Sequence, residues 1–171
     1  WSVFGQVVIL LLIQIGGLGV VTIMSGLMIL LHKKMGINDR LLLQDAFNLN
    51  SLSGLVRFVK KVVIGTLVIE GIGALLYMTV FIPDFGSKGI WISIFTSISA
   101  FCNAGIDIIA ENSLCDYALN PMVNTVTCLL IVIGGIGYIV WWDIIRVIKN
   151  IRQNKRKIFG NLTLHSKIAI I

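Results

Sequence analysis

Charge is scarce in this 171-residue chain: 13% of the residues are charged, whereas 57% are apolar. The first 31 positions contain no ionisable side chain at all. A soluble domain of this length has too small an interior to bury that much apolar surface, and about 20 consecutive apolar residues already cross a bilayer. The scarcity of charge excludes a soluble globular fold and points to an integral membrane protein made of helices.

Reactive side chains are also few. The three cysteines, Cys102, Cys115 and Cys128, show no paired spacing, so neither a zinc pattern nor a disulfide framework is expected. The two histidines, His32 and His165, flank the edges of apolar segments and read as interfacial residues rather than ligands. With no catalytic constellation and no metal-ligand cluster, neither an enzyme nor a cofactor is expected. Asn161-Leu162-Thr163 matches a glycosylation sequon, but its expected cytoplasmic side argues against use. The chain opens on Trp1 without a basic leader or a small-residue cleavage pattern. It closes on Lys167-Ile168-Ala169-Ile170-Ile171, the first turn of a further apolar segment. The expectation is an internal piece of a longer polytopic protein.

Three stretches qualify as spans, at about residues 3–31, 62–81 and 121–142. Between the first two, residues 38–43 read as a short helix near the membrane surface. A break follows at Asn48-Leu49-Asn50-Ser51, and Ser51 or Ser53 is placed to cap the second span. The first loop carries Lys33, Lys34, Arg40, Arg57, Lys60 and Lys61 against Asp39 and Asp45. The segment after the third span carries Arg146, Lys149, Arg152, Lys155, Arg156, Lys157 and Lys167 against Asp143 alone. The connection between the second and third spans instead has Lys88 against Asp84, Asp107, Glu111 and Asp116. By the positive-inside rule, residues 32–61 and 143–166 are cytoplasmic and residues 82–120 external. This topology accounts for the basic net charge, so no nucleic-acid partner is needed.

The external connection holds an apolar stretch, residues 90–101, too short to cross a bilayer. Ile92, Phe95, Ile98 and Phe101 suit a helix, while Ile92, Ile94 and Ile98 suit a strand. The short polar strip Asn103-Ala104-Gly105-Ile106-Asp107 follows. A span, a short re-entrant helix, a glycine-containing strip and a second span form the hairpin of cation pores. Irregular backbone at membrane depth is tolerated where it lines a cavity, and there its carbonyls can replace a cation's hydration shell. Glycine allows the bend, and the C-terminal end of the short helix favours positive charge. The competing reading is an ordinary external loop with an interfacial helix.

An internal repeat favours the pore. Leu11-Leu12-Ile13-Gln14-Ile15-Gly16-Gly17-Leu18-Gly19 returns 118 residues later as Leu129-Leu130-Ile131-Val132-Ile133-Gly134-Gly135-Ile136-Gly137. Tandem span–pore–span units produce such a parallel repeat. The glycine triplets lack dinucleotide-fingerprint spacing and suit close packing of helices against one another or against a pore loop.

Several motifs together resemble the Trk/Ktr superfamily of potassium uptake proteins, nearest to the membrane subunit of the bacterial Ktr system. They are Gly5-Gln6 through Gly19, Arg40-Leu41-Leu42-Leu43-Gln44, Val68-Ile69-Glu70-Gly71-Ile72-Gly73-Ala74, and Ser97-Ile98-Ser99-Ala100-Phe101-Cys102-Asn103-Ala104-Gly105. The resemblance implies an all-α membrane fold of four span–pore–span repeats around one pseudo-fourfold pore. Residues 1–31 would be the last helix of repeat one, 62–142 repeat two, and 167–171 the start of repeat three. Gly105 resembles the filter glycine, with Asn103 and Ala104 before it as filter backbone and Ile106 and Asp107 after it at the pore mouth. Where the family commonly has an aromatic residue after this glycine, the chain has Ile106. The implied substrate is potassium, with possible sodium dependence. The implied partners are the lipid bilayer, a second copy of the subunit and a cytosolic nucleotide-binding ring.

Glu70 is the one charge inside an expected span, and buried acids in membranes face a partner or the bundle interior. A structural role is the expectation. The alternatives are a secondary transporter built around Glu70 and a membrane anchor or assembly subunit in which residues 90–107 are merely interfacial.

Overall fold

The computed structural model describes residues 2–19, 52–109, 112–151 and 166. The expected surface helix at 38–43, the break at 48–51, both histidines, the sequon, the tail from Arg152 and residues 167–171 lie outside the described residues. Every regular element among the described residues is helical: α1 (Val3–Leu18), α2 (Leu52–Phe85), α3 (Lys88–Phe101), a short 3-10 turn (Ser113–Tyr117), α4 (Pro121–Ile136) and α5 (Tyr138–Ile151). Residues 90–101, whose periodicity suited either a helix or a strand, are helical.

α2 is the organising element. Its Val59–Phe85 portion is long and apolar enough to cross a membrane, while α1, α3 and α4 are shorter apolar helices. Pro83 sits in its last turn, and Gly86 at φ 59° closes the chain back on itself. α3 then packs against α2 at close range, because a Cβ at Gly89 would fall on the Phe81 carbonyl. The core between α2, α3 and α4 contains Tyr77, Phe81, Ile92, Ala100, Phe101, Val123, Val126 and Leu130. Outward-facing Leu67, Leu75, Leu129 and Val132 remain more than half exposed. Apolar side chains so displayed suit a hydrocarbon surround or further protein segments.

The repeat seen in the sequence is also a repeat of structure. α1 and α4 are both 16 residues long, and their ends are related by the same 118-residue offset. Ser2 caps α1 by accepting the Gly5 N–H, and Asn120 caps α4 by accepting those of Met122 and Val123. Gly19 ends α1 at φ 79°, and Gly137 ends α4 at φ 87°. Left-handed backbone at a helix end is natural for glycine and strained for other residues.

At these glycines the helices end inside the expected spans. The run from 121 to 142 is not one helix: it breaks at Gly137, and α5 starts afresh at Tyr138. The break leaves the Ile133 carbonyl to the Trp141 indole, whose Nε1 donates to it at 2.9 Å. Tyr138 donates to the Gly17 carbonyl at 3.0 Å, so the two glycine motifs meet through α5. α1 likewise stops at Leu18, and residues 20–31 of the first expected span lie outside the described residues.

Candidate functional site

The strip begins as the C-terminal cap of α3. Asn103 N–H donates to the Ala100 carbonyl at 3.1 Å, and Ala104 N–H donates to the Ser99 carbonyl at 2.9 Å. With Asn103 at φ 55°, this is the paired-bond pattern of a Schellman cap, with asparagine in the place usually taken by glycine. Asparagine tolerates the left-handed region better than most residues. Gly105 is left-handed as well, at φ 66°, while Ala104 between them keeps a negative φ.

Alternating handedness of this kind rotates successive peptide planes and gathers amides on one side. Ser99 occupies that side. Besides its carbonyl, its side chain receives the Ile106 N–H at Oγ, 2.9 Å away. Two amides that bracket Gly105 therefore end on one buried serine, which is 3% exposed. Among the described residues nothing donates to the carbonyls of Asn103, Ala104 or Gly105, which leaves them free to act as acceptors. A Cβ on Gly105 would meet nothing within 4 Å, so the glycine is required by its φ and not by crowding.

The glycine triplets support the end of α3 from two sides. A Cβ at Gly17 would run into Cys102, and one at Gly134 would run into the Phe101 carbonyl. Phe101 also meets Trp141 edge-on, with ring centroids 5.8 Å apart. Further along α3, Gly73 of α2 would bring a Cβ within 2.5 Å of Ser97 Oγ and 2.9 Å of Leu130. The close-packing role expected of the glycine triplets thus falls on Gly17 and Gly134, while Gly73 and Gly89 make further close contacts with α3 and α2.

Glu70 joins the same assembly. It is 4% exposed, and Gln14 Nε2 of α1 lies 3.0 Å from each of its carboxyl oxygens. Cys102 Sγ approaches at 3.8 Å, and Ser97 Oγ donates to the Glu70 backbone carbonyl at 2.7 Å. Among the described residues its carboxyl meets an amide and a thiol but no cation. The residue ties α1, α2 and the end of α3 together. Gln14 was not singled out from the sequence, because a contact 56 residues away leaves no local pattern.

Asp107 stands where the strip turns outward. Its Oδ1 accepts the Ile109 N–H at 3.1 Å, and its Oδ2 accepts the Ser113 hydroxyl. A cavity of about 180 Å³ opens beside the strip, lined by Thr96, Ser99, Asn103, Gly105, Asp107 and Thr127 among others. Thr96, 3% exposed, has a buried hydroxyl without a protein partner among the described residues. Ile106 is partly exposed at the outer end. Beyond it, Tyr117 anchors the 3-10 turn to the top of α2 by donating to Asp84 Oδ2 at 2.7 Å. Desolvation, followed by the nearby Asp84 carboxylate, pushes the Tyr117 phenol up to about 12.

The sequence profile of the TrkH family, described as "Cation transport protein", matches residues 1–169. The chain belongs to the TrkH family. Among TrkH-related proteins it is 40% identical to the potassium/sodium uptake protein NtpJ of Enterococcus hirae, over 99% of this chain and 36% of that protein. It is 38% identical to the Ktr system potassium uptake protein B of Bacillus subtilis, over 99% of this chain and 36% of that protein. The corresponding protein of Vibrio alginolyticus is 31% identical, over 100% of this chain and 36% of its own length. The chain thus spans little more than a third of the length of these relatives.

Proposed function

We propose that residues 62–142 of this chain are the second span–pore–span unit of a potassium uptake subunit and that Asn103, Ala104 and Gly105 contribute one quarter of its selectivity filter. The carrying observation is the strip itself, with the amides of Asn103, Ala104 and Ile106 tied to α3 and, among the described residues, no donor on the carbonyls of Asn103, Ala104 and Gly105. Such carbonyls can replace the water around a cation without any covalent chemistry. The names of the relatives support potassium as the substrate, and NtpJ's name also includes sodium.

In this reading the full subunit carries four such units around a pseudo-fourfold axis and crosses the plasma membrane several times. α2 is the first span of the unit, α3 the re-entrant helix, and α4 with its continuation α5 the returning span. Ile106 and Asp107 stand at the external mouth. Residues 32–61 and 143–166 face the cytoplasm, where their basic side chains suit docking on a nucleotide-binding ring, and the subunit pairs with a second copy. A transport site at Glu70 is disfavoured by the Gln14 amide that already occupies both carboxyl oxygens.

The test is Gly105→Ser in the full-length protein. A side chain at φ 66° strains the backbone by about 1–3 kcal/mol and moves the adjoining carbonyls. Potassium preference over sodium should fall at unchanged membrane level. An unchanged ratio and affinity for both ions would return residues 90–107 to an ordinary external segment with an interfacial helix.

A further inference from the structure

We infer that Ser99 is a selectivity-determining positioning residue, whose hydroxyl sets the height and tilt of the Gly105 carbonyl. The inference rests on the filter reading above and adds a residue outside the strip. A helix cap of this type needs only the Ser99 carbonyl, which receives Ala104 N–H. The hydroxyl does something a cap does not require: it receives the amide of Ile106, two residues further along the strip.

The consequence is geometric. The Gly105 carbonyl belongs to the same peptide plane as the Ile106 amide, so fixing one fixes the other. Gly105 itself cannot hold that plane: it has no side chain, and a Cβ built on it would touch nothing within 4 Å. Ser99 is buried on a helix where two other serines are also fastened by hydrogen bonds. Ser93 Oγ donates to the Gly89 carbonyl at 2.7 Å, and Ser97 Oγ donates to the Glu70 carbonyl at 2.7 Å. The peptide plane after the one free-swinging residue of the strip is therefore pinned by a single hydroxyl.

Removing the hydroxyl should leave the fold in place, because the cap bonds and the core contacts of α3 remain. It should release the Gly105–Ile106 peptide. A carbonyl free to tilt can follow ions of different size, so discrimination falls more than throughput. The experiment measures potassium and sodium uptake in the full-length protein at matched membrane levels, for wild type, Ser99→Ala, Ser99→Thr and Gly105→Ser. Losing one buried hydrogen bond at the strip should lower the potassium-to-sodium preference of Ser99→Ala by about tenfold. Ser99→Thr, which restores a hydroxyl, should stay within about twofold of wild type on the same scale.

An unchanged ratio in Ser99→Ala, or an equal loss of both ions, would overturn the inference. So would a Ser99→Thr ratio as low as that of Ser99→Ala. If Gly105→Ser changes the ratio while Ser99→Ala does not, Ser99 falls and the filter reading stands. If neither changes it, both fall.

Discussion

Gln14 and Glu70, 56 residues apart, meet inside the fold with the Gln14 amide nitrogen 3.0 Å from both carboxyl oxygens. The contact joins α1 to the long helix α2, against which α3 packs. Through Cys102 it also reaches the residue just before the strip. A carboxyl so placed is a fastening point more readily than a carrier of ions.

Replacing Glu70 therefore tests which property matters. Glu70→Gln keeps an oxygen to accept from Gln14, and uptake by the full-length protein should stay within about twofold of wild type. Glu70→Leu leaves the buried Gln14 amide without its acceptor, a loss of about 1–3 kcal/mol that should lower the amount of assembled protein in the membrane. Normal levels with abolished uptake in Glu70→Gln would make the charge itself essential.

The glycine triplets supply a paired test. In Gly134→Ala the new methyl falls on the Phe101 backbone carbonyl, whereas in Gly135→Ala it meets only Asn103 Nδ2, at an ordinary 3.8 Å. The first should cost about 1–3 kcal/mol by overpacking and the second far less. Thermal unfolding of the detergent-purified full-length protein would resolve the pair. Equal midpoints for the two variants would remove the close contact between α4 and the end of α3.

Much of this arrangement could be read from the residues, and the rest could not for definite reasons. The short apolar run ending at Phe101 and the polar strip after it announce themselves, because length separates them from a span. The repeat of 118 residues carries through to helix ends and caps. The division of labour within each triplet is not visible in the sequence, since neighbouring glycines look alike while only Gly17 and Gly134 lie against α3. The break at Gly137 is equally hidden, because the apolar run continues across it to Trp142 and hydropathy does not register φ. Ser99 stands in an alternating Ile-Ser pattern that suits helix and strand alike, so its two acceptors emerge only from the folded backbone. Crowding around Gly105 is a natural expectation for a filter glycine, but the strip leaves that side open.

Orientation can be tested with the native thiols. Cys115 and Cys128 are both exposed in this chain, so a difference in their labelling reports what surrounds them in the full-length protein. In intact cells a membrane-impermeant thiol reagent should label full-length protein keeping only Cys115. It should leave protein keeping only Cys128 unlabelled, because the proposed topology puts α4 within the bilayer. Ready labelling at Cys128, or protection of Cys115 until the cells are opened, would reverse or abolish the proposed topology.

Asp107 has two roles that the structure allows to be separated. Both carboxyl oxygens are engaged, one by the Ile109 amide and one by the Ser113 hydroxyl, so the residue holds the turn that leads out of the strip. Its charge is a separate property, and a carboxylate at a pore mouth raises the local concentration of cations. Asp107→Asn keeps an oxygen for Ile109, and its amide can donate to the Ser113 oxygen, so the turn should survive while the charge is lost. The half-saturation concentration for potassium should then rise by severalfold at low ionic strength. The rise should shrink near 0.15 M salt, where the screening length is about 8 Å. Asp107→Ala removes both bonds as well, and should add a loss of thermal stability that Asp107→Asn does not show. If half-saturation in Asp107→Asn matches wild type at low salt while Asp107→Ala is unstable, the carboxylate is a cap for the turn, and the field at the mouth comes from other residues.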